Sequence, residues 1–302
     1  MIFDIIESKI LGNIRIIPSL ASQVEFNKKG IFDISIQNQV DLNASALDIF
    51  KSVNGQATIE DIVDKMNKKY KCKRSVLRKD ITNILNDANK RNLINYNIKS
   101  NKLLYKLIGK IYLDLFRNKS RRFDIASKSF IKIFAEILKI ILMKFSWIIC
   151  LNIFNMFILY LIPTTNDKFI FEFLFNVFLE LNIVLFGGFS SIALHEALHA
   201  YYFRKSINYD GGFLLVNRLS VSFKRRSENV NNIKISLIGP LIPAIIGFIG
   251  LISTYLFISS NITLYLYSFF IMYSIHIINL MPFWGDGKNI VLALLKLKSQ
   301  CH

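Results

Sequence analysis

The chain divides into two halves that differ in the length and period of their apolar runs. Up to about residue 100, short alternating runs and helical repeats of apolar residues are separated by polar turns. After residue 144 the apolar runs reach about twenty residues, which is enough for a helix to cross a hydrocarbon core of about 30 Å. The pattern predicts a mainly α-helical protein, with a polytopic membrane core of about four transmembrane helices and an N-terminal α+β, winged-helix-like cytosolic domain.

The N-terminal half has the order of elements that is typical of a small winged helix. The predicted elements are strands at 24–26 and 31–36, helices beginning near residues 44, 58 and 75, and a closing strand at 93–98. Thr58 and Ser75 are predicted to cap the second and third helices, with Asp61 in the capping-box position after Thr58. The third helix is expected to turn inward its apolar residues Val76, Leu77, Ile81, Ile84 and Leu85.

Four apolar segments in the second half are predicted to span the membrane. They cover residues 145–163, 169–203, 235–258 and 262–282. The second segment would run roughly 50 Å at about 1.5 Å per residue, which is too long for one upright helix. It is therefore expected either to tilt or to break near Gly187-Gly188.

The distribution of charge predicts how these segments are oriented. Residues 1–144 hold 27 of the 38 Lys and Arg residues, and the segment 204–234 and the tail are also basic. Because basic loops stay in the cytoplasm, we expect a multi-pass protein of the cell membrane with both termini cytoplasmic. Residues 101–144 mix Lys with apolar residues, which predicts basic amphipathic helices that either lie in the headgroup plane or form a packed hinge.

The predicted domains are thus 1–100, a linker at 101–144 and the membrane domain at 145–302. The first twenty residues contain acidic and basic side chains and no uninterrupted apolar run, so no cleavable signal peptide is expected. The three cysteines are far apart in the chain and indicate no disulfide framework, which suits reducing surroundings.

The motif His195-Glu196-Ala-Leu-His199 lies inside the second apolar segment. Two histidines four residues apart lie on one face of a helix, so both imidazoles can reach one Zn²⁺. Glu196 lies beside them, where it can act as a general base toward the attacking water. Ionisable side chains are costly in a membrane, so we expect a functional site here rather than two core histidines and a stray glutamate.

Two histidines leave a catalytic zinc one protein ligand short. Asp286 follows the fourth apolar segment, at the end that the predicted topology places level with His195. The Asp286-Gly287 pair is also typical of an ordinary turn, so the ligand role is favoured only because the His-Glu-His motif lies on another span.

These residues resemble the site-2 protease family of membrane zinc metallopeptidases, which pairs His-Glu-x-x-His with a later Asn-x-x-Pro…Asp-Gly motif. Here the second motif is Asn279-Leu-Met-Pro…Asp286-Gly287. The resemblance implies His195, His199 and Asp286 as metal ligands and Glu196 as general base. It also implies that Asn279 helps to hold substrate or the developing oxyanion.

Other features of the membrane half fit the same resemblance. Gly239-Pro240 begins an intervening span, as in that family, and residues 211–223 match a short β-hairpin that dips toward the active site. His276 would share a helical face with Asn279 and is either a second-layer partner of the site or a residue that hydrogen-bonds to a neighbouring helix.

The N-terminal half is similar to the peptide-chaperone domain of pyrroloquinoline quinone biosynthesis. The similarity rests on residues 42–50 and on the stretch Val53-Asn-Gly-Gln-Ala-Thr-Ile-Glu-Asp-Ile62. Related domains recognise leader peptides of ribosomally made, modified peptides, so the resemblance implies a precursor peptide as partner. The alternative is a DNA-binding winged helix, because seven Lys and Arg residues cluster between 68 and 79. Peptide recognition is favoured over nucleic acid because a peptidase-like region follows.

Together these features predict a membrane-embedded zinc endopeptidase that removes the leader of a ribosomally made precursor peptide before export. The expected partners are that peptide, the lipid bilayer, a peptide-modifying enzyme and an exporter. Two alternatives remain at this point. One is a regulatory intramembrane protease that cuts a transmembrane signalling protein, and the other is a non-catalytic peptide-binding accessory for immunity or transport.

Overall fold

A computed structural model describes residues 15–101, 105, 109, 120–125, 127–161, 168–207, 211–217, 220–225, 232–258 and 262–300. The chain forms two compact units. The N-terminal unit comprises Met1–Ile125 together with Gly211–Arg226, and the membrane unit comprises Ala126–Asp210 together with Ser227–His302.

Short strands and three helices build the N-terminal unit. Its strands are β1 (Arg15–Leu20), β2 (Val24–Phe26), β3 (Gly30–Asp33), β4 (Asn38–Asp41), β5 (Ile94–Lys99), β6 (Arg121–Phe123), β7 (Phe213–Val216) and β8 (Val221–Lys224). Its helices are α1 (Ala44–Lys51), α2 (Ile59–Tyr70) and α3 (Arg74–Lys90). The predicted helices and strands between residues 24 and 98 are confirmed, except that the strand predicted at 31–36 ends at Asp33 and is followed by a turn. The pattern missed β1, β4 and β6.

All strand pairs described in this unit are antiparallel. β1 pairs with β5 from Arg15 opposite Lys99 to Leu20 opposite Ile94. β2, β3 and β4 form a meander. β6, β7 and β8 form a third sheet. β6 precedes the membrane helices in the sequence, and it pairs with the hairpin of β7 and β8, which lies in the sequence between the second and third of them.

The core of the N-terminal unit comes from the apolar faces of α1, α2 and α3 packed on β1, β3 and β5. Phe50, Ile62, Val63, Ile81 and Leu85 are fully buried or nearly so. This is the arrangement that the helical repeats predicted, since residues three and four apart share one helical face.

The ends of the helices confirm one predicted cap and correct another. Thr58 caps α2, and the capping box with Asp61 is complete in both directions. Ser75 does not cap α3, because the helix already begins at Arg74 and its N-cap residue Lys73 makes no side-chain cap bond. Val76, expected to point inward, is 52% exposed. It lies five residues before Ile81, which places it about 140° away around the helix, given 3.6 residues per turn.

A buried ion pair joins the end of β3 to β6. Arg122 contacts the Asp33 carboxylate through both guanidinium end nitrogens, at 2.5 and 3.1 Å, and donates to Ser35 Oγ at 2.6 Å. Neither ion-pair side chain is exposed to solvent. The guanidinium also stacks 4.1 Å from the ring centroid of Phe213 on β7. Arg122 therefore holds three distant segments of the chain in one unit.

Long helices build the membrane unit. They are α4 (Phe130–Leu161), α5 (Lys168–Ile207), α6 (Asn232–Phe257), α7 (Thr263–Ser274), a 3-10 helix (Ile275–Leu280) and α8 (Gly285–Gln300). Within the described residues, four helical segments are long and apolar enough to cross a membrane, namely Phe130–Leu159, Phe171–Ser206, Ile233–Phe257 and Thr263–Lys296. The predicted fold class, a mainly helical protein with four spans and an N-terminal α+β domain, is confirmed.

Two of these helices differ from the predicted boundaries. α4 begins at Phe130, so residues 130–144, expected to form part of the linker, run without a break into the first span. Much of residues 102–119, in the first part of the predicted linker, lies outside the described residues. α5 is one continuous helix, which decides between the two forms expected for the second segment: there is no break at Gly187-Gly188.

The helices of the membrane unit pack around α5. It contacts α4, α6 and α7, while α6 also contacts α7, the 3-10 helix and α8. Large apolar side chains such as Phe154 on α4 and Leu256 on α6 are exposed on the outside of this group. Several polar and ionisable residues in the C-terminal part of α5, among them His195, Glu196 and His199, are instead buried.

Candidate metal centre

The C-terminal part of α5 carries the first three residues of the candidate site. His195, Glu196 and His199 are all buried, with 5–8% of their surface exposed. The helical repeat places the two histidines one turn apart, and their Nε2 atoms lie 3.1 Å from each other. The helix backbone alone therefore brings two nitrogen donors to one point.

The fourth residue, Asp286, is in the first turn of α8. Its Oδ2 lies 3.1 Å from His195 Nε2, and its Oδ1 lies 3.2 Å from His199 Nε2. His195, His199 and Asp286 thus form a group whose ligand atoms all lie within 4.8 Å of one another and which could hold a metal ion. The two histidines and the aspartate are separated by nearly ninety positions in the sequence, so packing of α8 against α6 and the 3-10 helix brings them together.

The donor set and its spacing fit a zinc ion. Tetrahedral ligands with bonds of about 2.0–2.1 Å are about 3.3–3.4 Å apart, close to the separations observed here. Two imidazole nitrogens and a carboxylate are also ligands that zinc commonly takes. Hydrogen bonds alone satisfy the group poorly, because two Nε2–H groups that donate to the two Asp286 oxygens would face each other as like donors across only 3.1 Å. The outward nitrogens, Nδ1 of both histidines, are buried and have no partner among the described residues.

Glu196 lies at the edge of this group rather than inside it. Its Oε1 is 3.8 Å from His195 Nε2, farther than either Asp286 oxygen is from its histidine partner. A carboxylate at this position is close enough to reach a molecule held at the three ligands without being one of them.

Gly239 on α6 is a site residue that only the family resemblance pointed to. A Cβ atom at this position would lie 2.3 Å from His199 Cε1 and 2.4 Å from His199 Nε2. The missing side chain lets the α6 backbone pack directly against the imidazole. Gly239 therefore fixes the position of His199, a role that no local periodicity could have revealed.

Gly287 also acts through close approach. The residues between the 3-10 helix and α8 form a turn in which Trp284 N–H donates to the carbonyl of Met281 at 3.0 Å. A Cβ at Gly287 would lie 2.0 Å from that same carbonyl oxygen. The Asp286-Gly287 pair, which is typical of a turn, instead lies within α8, where the glycine lets the helix start against the preceding turn.

His276 and Asn279 lie on the 3-10 helix, and His276 contacts His195, one of the three candidate ligands. The His276 ring stacks on the His195 ring, with centroids 4.9 Å apart and planes 25° from parallel. Asn279 Nδ2 lies 3.3 Å from His276 Nδ1. Of the two interpretations of His276, the structure supports the one that places it beside the site, and it gives Asn279 a direct partner in His276.

In the N-terminal unit, the basic residues at the end of α2 and the start of α3 are partly neutralised by nearby carboxylates. Arg74 pairs with Asp64 at 2.9 Å and with Glu60, Arg78 pairs with Glu60 at 2.7 Å, and Lys69 pairs with Asp48. The pKa of the Asp48 carboxyl lies below its ordinary value because Lys69 and then the Tyr70 hydroxyl donate to it. A surface whose cations are bound to its own carboxylates offers less charge to a phosphate backbone, which favours peptide over DNA as the partner.

Comparison with known protein families finds one match. The family model for coenzyme PQQ synthesis protein D (PqqD) matches residues 31–94. The matched residues run from β3 to the first position of β5 and include all three helices of the N-terminal unit. Neither the curated proteins nor the solved structures compared with this chain include one that matches it. The chain thus has a PqqD-type domain and an apolar helical region that suggests a membrane protein.

Proposed function

We propose that this protein is a membrane zinc endopeptidase that cleaves a ribosomally made precursor peptide. The observation that carries the proposal is the triangle of His195, His199 and Asp286 donor atoms with Glu196 beside it, in which the two histidines and the glutamate are buried and Asp286 is partly buried. The PqqD-type domain at residues 31–94 supports a precursor peptide as the substrate class. The site-2 protease resemblance of the two motifs supports the same reaction class.

The three ligands and Glu196 have distinct tasks in this proposal. Zinc held by His195, His199 and Asp286 would supply a Lewis acid that polarises the scissile carbonyl and lowers the pKa of a bound water. Glu196 takes the proton from the attacking water and passes it to the leaving amine. Its Oε1 lies 3.8 Å from His195 Nε2, beside the ligand triangle rather than within it. Burial among helices limits access of bulk water to the peptide under attack.

The N-terminal unit serves to hold the leader segment of the precursor. A leader bound to a domain of the same chain raises the effective concentration of the cleavage site at the peptidase, because the second encounter becomes intramolecular. A peptide-modifying enzyme acting before cleavage and an exporter acting after it are the partners that this order of events requires.

Substitution of Glu196 by Gln tests the proposal. Gln keeps the size of the side chain but cannot act as a base, so we expect cleavage to slow by about 10²- to 10⁴-fold while zinc stays bound. Zinc per chain is measured on the detergent-purified protein, and new peptide termini are measured by mass spectrometry in cells that express wild type or variant. His199→Ala is the matched variant that should lose both the zinc and the termini.

The outcomes separate the proposal from its alternatives. Small peptides whose new termini require Glu196 support precursor maturation. Termini that map to a transmembrane signalling protein would make this a regulatory intramembrane protease. Zinc-free wild-type protein, or identical termini with Glu196→Gln, would leave only the non-catalytic peptide-binding accessory.

A further inference from the structure

We propose that His276 is a catalytic residue of the proposed peptidase and that Asn279 positions it. In this proposal His276 Nε2–H donates a hydrogen bond to the scissile carbonyl oxygen as negative charge develops on it. Asn279 acts through His276 and does not itself contact the substrate. The inference rests on the proposed function and changes the role that the family resemblance implies for Asn279.

The local helix geometry aligns the two side chains. α7 ends at Ser274, and the chain tightens into a 3-10 helix from Ile275 to Leu280. With three residues per turn, side chains at i and i+3 lie directly above each other, whereas in an α-helix they are offset by about 60°. His276 and Asn279 are separated by three positions, so the 3-10 geometry places the amide against the imidazole.

The contact with Asn279 decides which imidazole nitrogen carries the proton. An amide N–H is only a donor, so His276 Nδ1 accepts the bond from Asn279 Nδ2. A neutral imidazole whose Nδ1 accepts has its proton on Nε2. His276 makes no other hydrogen bond in the part of the chain that the structure describes. Its Nε2–H is therefore a donor that no described side chain uses.

The stack with His195 places this donor beside the ligand triangle. The rings are 4.9 Å apart between centroids and inclined by only 25°. The His276 residue is only 8% exposed, so its ring has little freedom to turn away from His195. A held donor next to the point where charge develops stabilises a transition state without reorganising, which is how oxyanion holes act.

The same contact limits what Asn279 can do. One N–H of its amide is committed to His276, and the structure shows no other side-chain hydrogen bond of Asn279 among the described residues. Its contribution is to fix the tautomer and rotation of the imidazole, as partners of functional histidines commonly do.

Binding of acetohydroxamate to the cobalt-loaded full-length protein in detergent tests the inference. Co²⁺ at the three ligands gives a visible spectrum, and acetohydroxamate presents a metal-binding oxygen with negative charge in place of the developing oxyanion. The variants are His276→Phe, which keeps a stacked ring without the donor, and His276→Gln, which keeps an N–H near the Nε2 position. Asn279→Ala and the His276→Phe/Asn279→Ala double variant complete a cycle.

We expect His276→Phe to bind Co²⁺ like wild type and acetohydroxamate about 10- to 100-fold more weakly, the range for losing a hydrogen bond to a charged group. His276→Gln should recover most of this loss. Asn279→Ala should weaken binding by less than His276→Phe, and it should have no further effect when Phe already replaces His276, because it acts through that residue.

Three results would overturn the inference. The first is unchanged acetohydroxamate affinity in His276→Phe. The second is a full additional loss from Asn279→Ala in the Phe background, which would mean that Asn279 contacts the ligand itself. The third is loss of Co²⁺ in both His276 variants, which would make His276 necessary for the metal site alone. Wild-type protein that binds no Co²⁺ would instead overturn the proposed function together with this inference.

Discussion

The two units of this protein differ in the side chains that they expose. The N-terminal unit has a mainly apolar interior that also holds the Arg122–Asp33 pair, and among its described residues only Phe26, Tyr70 and Val76 are large apolar side chains left exposed. In the membrane unit exposed apolar residues cover the outside of the helices, and histidines, a glutamate and several hydroxyl groups are buried. The difference follows from the solvent, because lipid accepts apolar surface and rejects unpaired charge.

The buried polar groups of the two units also differ in how well they are satisfied. In the N-terminal unit Arg122 has a carboxylate, a hydroxyl and an aromatic face as partners, so its charge is compensated within the fold. In the membrane unit the Nε2 atoms of His195 and His199 face each other and Asp286, and the buried Nδ1 atoms of both histidines have no partner among the described residues. The first arrangement is what a structural interaction requires, and the second is what a metal site requires.

Among the substitutions that test this comparison, Arg122→Ala is expected to have the largest effect, which is on the stability of the N-terminal unit. It leaves Asp33 buried without its counter-charge, which typically costs about 3–5 kcal/mol of stability. Hydrogen exchange of the β3 and β6 amides in the full-length protein measures the loss. Arg74→Ala is the control, because its ion pairs are exposed and worth about 0–1 kcal/mol.

Faster exchange in the N-terminal unit of Arg122→Ala, with the zinc content of the protein unchanged, would sharpen the contrast between a structural ion pair and a metal site. An equal and small effect of both substitutions would show that the buried pair is not a structural interaction of the N-terminal unit.

A smaller effect is expected from Gly239→Ala in the membrane unit. The added Cβ would lie 2.3 Å from the His199 ring, so the imidazole has to shift from its place beside His195 and Asp286. Displacing a ligand in this way should weaken zinc binding by about 10- to 100-fold, as substitutions next to metal ligands do. Competition with a zinc-binding dye on the purified protein measures the affinity.

Gly285→Ala is the matched control for this substitution. It is next to Asp286 in the sequence, yet a Cβ there meets nothing within 4 Å. Equal zinc affinities for the Gly239 and Gly285 variants would contradict the role assigned to the α6 backbone.

The smallest effect is expected at the start of α2. Thr58→Ala removes the hydroxyl that caps the helix and should cost about 0.5–2 kcal/mol, measured by hydrogen exchange of the α2 amides. The pKa of Asp61 is lowered because it accepts hydrogen bonds from the Thr58 backbone N–H, at 2.8 Å, and from the Thr58 hydroxyl. A group with a lowered folded-state pKa stabilises the fold above its unfolded pKa, so this contribution is present at neutral pH and is lost as the pH falls below about 4.

The pH dependence supplies the control for the cap. Protection of the α2 amides should fall on acidification in wild type, and the fall should be smaller in Asp61→Asn. The same acid dependence in both proteins would show that the capping box does not respond to the charge of Asp61.

Local features of the fold were predictable where one stretch of chain decides the outcome. Thr58 and Asp61 correctly predicted the start of α2. The apolar positions of α1 and α2 are the ones that are buried in the core. The prediction that Ser75 caps α3 was wrong because the helix begins one residue earlier, at Arg74, and the inward orientation predicted for Val76 was wrong as well. β6 is three residues long and contains two arginines, so it has no apolar alternation and exists only because β7 offers it a partner.

The sequence predicted some residues of the candidate site more directly than others. His195, Glu196 and His199 follow from a four-residue spacing on one helix, which the backbone geometry converts directly into proximity. Asp286 required an assumption about how two spans face each other. His276 and Asn279 were named, but their contact depends on a tightening of α7 into a 3-10 helix that their residue types do not reveal.

The sequence by itself determined the division into a half that contains the PqqD-type domain and an apolar half, the number of candidate spans and the pair of histidines. Each of these follows from the period, length or spacing of residues that are neighbours in the chain. Only the tertiary structure decided that the hairpin of β7 and β8 joins β6 in the N-terminal unit, that Arg122 meets Asp33, and that the α6 backbone packs on His199. Such contacts join residues far apart in the chain, and they depend on how whole elements pack rather than on the properties of any one of them.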